Sequence, residues 1–126
     1  MRGLVFAVGA CLLGSGVWAG DVSREEIRRT AVPGFDTMIV VVSKLVVPPG
    51  ATIPIHTHAG DEHAVVITPT QARAPNGNVL DFPVGATLYF PEGQAHGGLT
   101  NIGDSNMVAI TTQVVRGDAP LSTPVN

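Results

Sequence analysis

Three histidines and one glutamate stand out in this chain for their spacing: His56, His58, Glu62 and His96. The first three lie in the run Gly50-Ala-Thr-Ile-Pro-Ile-His56-Thr-His58-Ala-Gly-Asp-Glu62. The fourth lies in Gly85-Ala-Thr-Leu-Tyr-Phe-Pro91-Glu-Gly93-Gln-Ala-His96. Three imidazoles and a carboxylate form a donor set that suits a borderline divalent metal. On a β-strand, side chains two apart share a face, so His56 and His58 project together. Ala59-Gly60-Asp61 reads as a turn, with Gly and Asp supplying backbone freedom, that returns Glu62 beside the pair. A second turn at Pro91-Glu92-Gly93 precedes His96. Four protein ligands leave two positions of an octahedral ion open, as in sites that handle water, O2 or substrate. His63 follows Glu62 directly, so on a strand it faces the other side and reads as a wall or interface residue. A longer turn would instead let His63 replace Glu62.

Positioning such donors takes a rigid sheet. Met38 to Val47 is nearly continuous Ile and Val, and suits a strand buried on both faces or two strands joined by a bend. Further strands are expected at about 52–58, 62–68, 79–82, 86–90, 95–101 and 106–116, the last rich in β-branched residues. Asn76-Gly77 is a strong hairpin signal. Before these, Ser23-Arg-Glu-Glu26 has the form of a capping box, so a helix of about two turns is expected, ending before Pro33-Gly34. Arg24, Arg28 and Arg29 then read as its solvated face. The tail, with Pro120 and Pro124, is expected to be loose or to pack along a neighbour. Short strands separated by turns indicate an all-β sandwich or barrel.

The two runs resemble the two sequence motifs of the cupin superfamily. The first has Gly, five residues, His-x-His, three residues and Glu. The second has Gly, five residues, Pro-x-Gly, two residues and His. The likeness covers roughly residues 36–116 and points to a small, single-domain, quercetin-dioxygenase-like cupin. Two positions depart from the pattern: Pro69 stands where the motif has Gly, and Thr100 where it has Asn. Neither position is a metal ligand in the family. The resemblance implies a jelly-roll β-barrel with a metal in its mouth, held by His56, His58, Glu62 and His96. It also implies a homodimer formed through a sheet face or a swapped N-terminal strand. One divalent ion is expected per chain, Fe(II) foremost, with Mn, Ni, Cu or Zn as alternatives. The reaction implied is oxygenation of a small oxygen-chelating substrate (a diketone, enol or flavonol), with Glu62 as the catalytic base if it leaves the metal. A binding or sensing module, a Lewis-acid isomerase or lyase, and a metal-free barrel are the alternatives. Phe82, Tyr89 and Phe90 flank the second run; core by default, some of them line the pocket if they alternate on strands. Met38 and Met107 read as core, Glu92 as solvated, and Asp61 as a turn residue able to orient a histidine.

Residues 1–19 read as a secretory signal peptide: Met1-Arg2, an apolar stretch from Gly3 to Val17, and a small-residue cleavage site before Gly20. Residues 20–126 then form one domain, periplasmic or secreted, and free of the membrane once the signal is removed. Cleavage would also remove Cys11, the only cysteine, and with it any disulfide or thiol chemistry. The formal charge of −3 and the scattered basic residues exclude a phosphate-binding stripe, so no nucleic-acid partner is expected. The expected partner is a small molecule.

Overall fold

A computed structural model describes residues 21–126. The expected signal segment, residues 1–19 with Cys11, lies outside the described residues. Among the described residues ten strands run in chain order: β1 (Ser23–Val32), β2 (Phe35–Val47), β3 (His56–Thr57), β4 (Gly60–Thr68), β5 (Thr70–Arg73), β6 (Val79–Phe82), β7 (Thr87–Phe90), β8 (Thr100–Asn101), β9 (Met107–Arg116) and β10 (Thr123–Pro124). They form a five-stranded sheet β1-β2-β9-β4-β7, a three-stranded sheet β6-β5-β8 and a two-stranded pair β10-β3. Every pairing is antiparallel.

Period-two burial sets the face of each strand. On β4, Gly60, Glu62, Ala64 and Val66 turn inward while Asp61, His63, Val65 and Ile67 turn out. On β9 the inward set is Met107, Ala109, Thr111, Gln113 and Val115. The apolar interior divides in two. Val47, Ala51 and Met107 pack with Val22, Leu45 and Ile53 at one end; Val66, Ala72 and Phe82 pack with Leu88 and Leu99 at the other. Met107 is core as expected. Full burial of a valine such as Val47 or Val66 stabilises the fold by about 1.5–3 kcal/mol. Asn101 joins the two sheets, donating from Nδ2 to the carbonyls of Val47 (2.8 Å) and Ser105 (2.9 Å).

The expected N-terminal helix is not formed. Residues 23–32 are strand β1, which pairs along β2 from Ser23↔Val46 to Val32↔Phe35. Pro33-Gly34 is the hairpin turn between them, with Gly34 at φ 83° where only glycine is at ease. A two-turn helix is marginal alone, and a full ladder along β2 offers its backbone more. The capping-box residues are instead successive strand positions, so Ser23 and Glu26 point to opposite faces.

Other boundaries move for similar reasons. Residues 52–58 and 95–101 contribute short pairs and isolated bridges rather than full strands, because Pro54 in the first and Gly97 and Gly98 in the second interrupt the ladder. Strand β5 was not anticipated, since Thr-Gln-Ala-Arg has no apolar run; it is the first arm of the hairpin that Asn76-Gly77 closes. The tail is not loose. Val125 N–H donates to the Ile55 carbonyl (3.0 Å), and β10 pairs Pro124 with His56.

Candidate metal centre

The four expected ligands meet inside the barrel. One donor atom from each of His56, His58, Glu62 and His96 lies within 4.8 Å of all the others. His56 and His96 form a two-way backbone bridge, each N–H donating to the other's carbonyl at 2.9 Å. That bridge sets their imidazoles side by side, ring centres 4.4 Å apart. Glu62 faces inward from β4, opposite Gln113 on β9 and Phe90 on β7. Phe90 lies flat on the His96 ring (3.9 Å, 6°) and holds its plane.

Gly60 does a different job from the one its place in the sequence suggested. It lies in β4, and a Cβ there would sit 1.8 Å from the Val114 carbonyl oxygen. The position needs glycine for close approach of two backbones two residues before Glu62.

Each imidazole is held from behind by a backbone carbonyl. Nδ1 of His56 faces Pro54 O (2.7 Å), Nδ1 of His58 faces Leu121 O (2.5 Å), and Nδ1 of His96 faces Gln94 O (2.9 Å). A carbonyl only accepts, so each Nδ1 donates. A neutral ring then carries a bare lone pair on Nε2. The three Nε2 atoms point toward one another: His56 to His58 is 3.2 Å, and Glu62 Oε2 is 2.9 Å from His58 and 3.3 Å from His96. Three lone pairs and a carboxylate converging on one point are costly unless a cation or protons sit among them. The donor set therefore fits a divalent ion with N and O ligands.

Two further residues hold Glu62. Its Oε1 accepts from Arg24 Nη1 (2.8 Å) and Gln113 Nε2 (3.3 Å), leaving Oε2 for the histidines. Arg24 also donates to Thr111 Oγ1 (2.7 Å). Glu62 is only 3% exposed, and burial raises its pKa. Without a metal, the hydrogen bond from a proton on His58 Nε2 and the charge of Arg24 outweigh this and hold the carboxyl at about 2. Burial pushes the His56 imidazole below its ordinary value, against the hydrogen bond to Pro54. Glu62 is thus an anchored anion, and acid–base duty would require it to leave both Arg24 and Gln113.

The remaining candidates divide cleanly. His63 faces outward and stacks on Tyr89 (4.8 Å, 25°), away from the ligands. Asp61 accepts from Glu92 N (3.0 Å) and Tyr89 Oη (3.3 Å), and so holds the Pro91 turn and not a histidine. Glu92 is solvated, 3.6 Å from an equally exposed Arg116. Phe82 is core. Sequence reasoning missed Arg24, taken for a solvated helix face, and Gln113, hidden in a β-branched run. A signal for Gln113 existed: at strand spacing from Met107 and Ala109, a Gln falls on the buried face and must find polar partners.

A cavity of about 60 Å3 lies against the ligands, lined by Arg24, Leu45, Ile53, Ala64, Leu88, Phe90, Leu99, Ala109 and others. A groove of about 200 Å3 runs beside it between Val22, Arg24, Leu45, Ile53, Pro54 and His56 on one side and Ser122 and Pro124 of the tail on the other.

No family model and no curated protein matches the sequence. Solved structures do match. A cupin domain from Bordetella pertussis is 22% identical, over 79% of this chain and 98% of that one, with a TM-score of 0.56. A protein with a double-stranded β-helix domain from Klebsiella pneumoniae is 24% identical, over 85% and 86%, with a TM-score of 0.58. The polyketide cyclase RemF from Streptomyces resistomycificus is 18% identical, over 83% and 71%, with a TM-score of 0.59. At these identities the likeness speaks for architecture alone: the chain has the cupin, or double-stranded β-helix, fold.

Proposed function

We propose that this protein is a metal-dependent, oxygenase-like enzyme that takes a small oxygen-chelating substrate at one divalent ion. The observation that carries the reading is the set of three Nδ1–carbonyl hydrogen bonds, which aim three Nε2 lone pairs and Glu62 Oε2 at one point. A divalent ion there supplies Lewis acidity and, when redox-active as Fe(II), O2 chemistry. The protein's part is to present His56, His58, Glu62 and His96, to fix the orientation of the His96 ring against Phe90, and to line the approach with Leu45, Ile53 and Leu88 so that bulk water is excluded. Cavity and groove are smaller than the roughly 300–1,000 Å3 of drug-sized sites, which favours a substrate of a few carbons over a flavonol. RemF, an enzyme on this fold, makes catalysis reasonable; the modest cavity supports a second reading, a site that binds without turnover.

We also propose export and a homodimer. Exposed Val65, Ile67 and Val114 on the outer face of β4 and β9 support the dimer, to be checked by light scattering.

The test is elemental analysis of untagged protein, beside His96→Ala, followed by O2 uptake with pentane-2,4-dione. Iron, manganese, nickel or copper near one per chain, lost in His96→Ala, with O2 consumption, supports the reading. Full metal without turnover of any small oxygen-chelating substrate, whether diketone, enol or oxo acid, moves it to the binding module. No metal after reconstitution overturns both.

A further inference from the structure

Charge at the centre does not balance in the way its ligand set suggests. Glu62 brings one negative charge, but Arg24 Nη1 lies 2.8 Å from its Oε1 and cancels it. The three imidazoles, each donating from Nδ1, are neutral donors. A divalent ion held there keeps nearly its full double charge in an apolar surround, where charge is weakly screened. Such a centre favours an anionic ligand over a neutral one.

Arg24 adds a second attraction. A guanidinium has five N–H donors. Nη1 serves Glu62 and Thr111. Among the described residues, Nε and Nη2 have no hydrogen-bond acceptor. The side chain is 23% exposed, and it lines both the inner cavity and the groove that passes His56. A planar fork with two free edges is the usual partner of a carboxylate. Among the described residues, no carboxylate other than Glu62 lines either space.

We infer that the substrate or ligand of this site is a small carboxylic acid with a second oxygen donor, of the 2-hydroxy or 2-oxo acid class, and that Arg24 selects it. The inference rests on the metal reading above. The second oxygen and one carboxylate oxygen face the ion, while the carboxylate's other oxygen accepts from Nη2 or Nε of Arg24. The groove of about 200 Å3 suits an acid of a few carbons. Arg24 is here a specificity residue; its partner Glu62 remains a ligand throughout.

The test uses lactate and its neutral isostere lactamide, with calorimetry on the full protein carrying Zn(II), whose content is measured first. Wild type is expected to bind lactate at least about tenfold more tightly than lactamide. Arg24→Gln, with zinc retained, is expected to lose most of that preference; Arg24→Lys, which keeps the charge but not the fork, to keep part of it. Equal binding of the two by zinc-loaded wild type overturns the inference and leaves the metal reading standing. So does a preference that survives in Arg24→Gln. Should Arg24→Gln lose zinc or fold poorly, Arg24→Lys decides: a preference undiminished there overturns the role of the fork. Wild type that takes up no zinc overturns the metal reading, and a lactate preference persisting in it but absent from Arg24→Gln supports Arg24 alone.

Discussion

Replacing Gln113 by leucine separates what builds the barrel from what tunes the site. Gln113 is 1% exposed, and its amide nitrogen donates to Glu62 Oε1 (3.3 Å) and the Leu121 carbonyl (3.4 Å) while lying 2.8 Å from His58 Nδ1. Its Oε1 is buried with no partner. Gln113→Leu removes a hydrogen bond to a charged group, worth about 1.5–3 kcal/mol, and also an orphaned acceptor, which costs about 1–3 kcal/mol. The two nearly offset, and the volume is roughly conserved, so metal-free stability should change by less than about 1.5 kcal/mol. Metal affinity should not be spared. Gln113 holds one of the two oxygens of Glu62 and borders the carbonyl that sets the His58 tautomer. Loss of such support typically costs about 10–100-fold in affinity. Urea unfolding of metal-free protein gives the first quantity, and Zn(II) titration against a competing chelator gives the second. Affinity within about twofold of wild type, with the fold intact, would refute the idea that Gln113 orients the ligands. A stability loss above about 3 kcal/mol would refute the offset.

Further outcomes follow from the same geometry. His63→Ala should leave metal content near that of wild type, since His63 stacks outward on Tyr89; elemental analysis showing a large loss would make it a ligand. A chain ending at Pro120 loses the Leu121 carbonyl that fixes His58 and the β10–β3 pair, and should bind Zn(II) about ten times more weakly while still folding. Unchanged affinity would show that the tail only covers the site. For metal-free protein, Glu62 is held at about 2, below its unfolded value near 4.5, and so binds fewer protons when folded. Its stabilising contribution is complete above about pH 4.5 and is lost as pH falls toward 2. His56, also lowered, acts in the same direction below about pH 6.5. Urea midpoints from pH 7 to 2.5 should therefore fall, and less steeply between 4.5 and 2.5 in Glu62→Gln. A parallel fall in both proteins would remove Glu62 as the cause.

Sequence alone determined the cluster of His56, His58, Glu62 and His96 and the barrel, because both are written in short-range geometry. His56 and His58 share a face by strand period, and the alternation in β4 and β9 sorts inward from outward residues wherever the chain pairs. That Glu62 and His63 face opposite sides follows from adjacency; that Glu62 is the inward one comes from the register of β4. The same local logic failed for residues 23–32. A capping-box pattern is a local preference, and pairing with β2 overrode it. Only the tertiary structure decided what surrounds the four ligands. Arg24 reaches Glu62 across 38 residues of chain, Gln113 across 51, and the Leu121 carbonyl reaches His58 across 63. No periodicity spans such separations, since they are set by which strands become neighbours and in what register. That register turns an ordinary arginine and glutamine into the groups that set the charge and aim of the site.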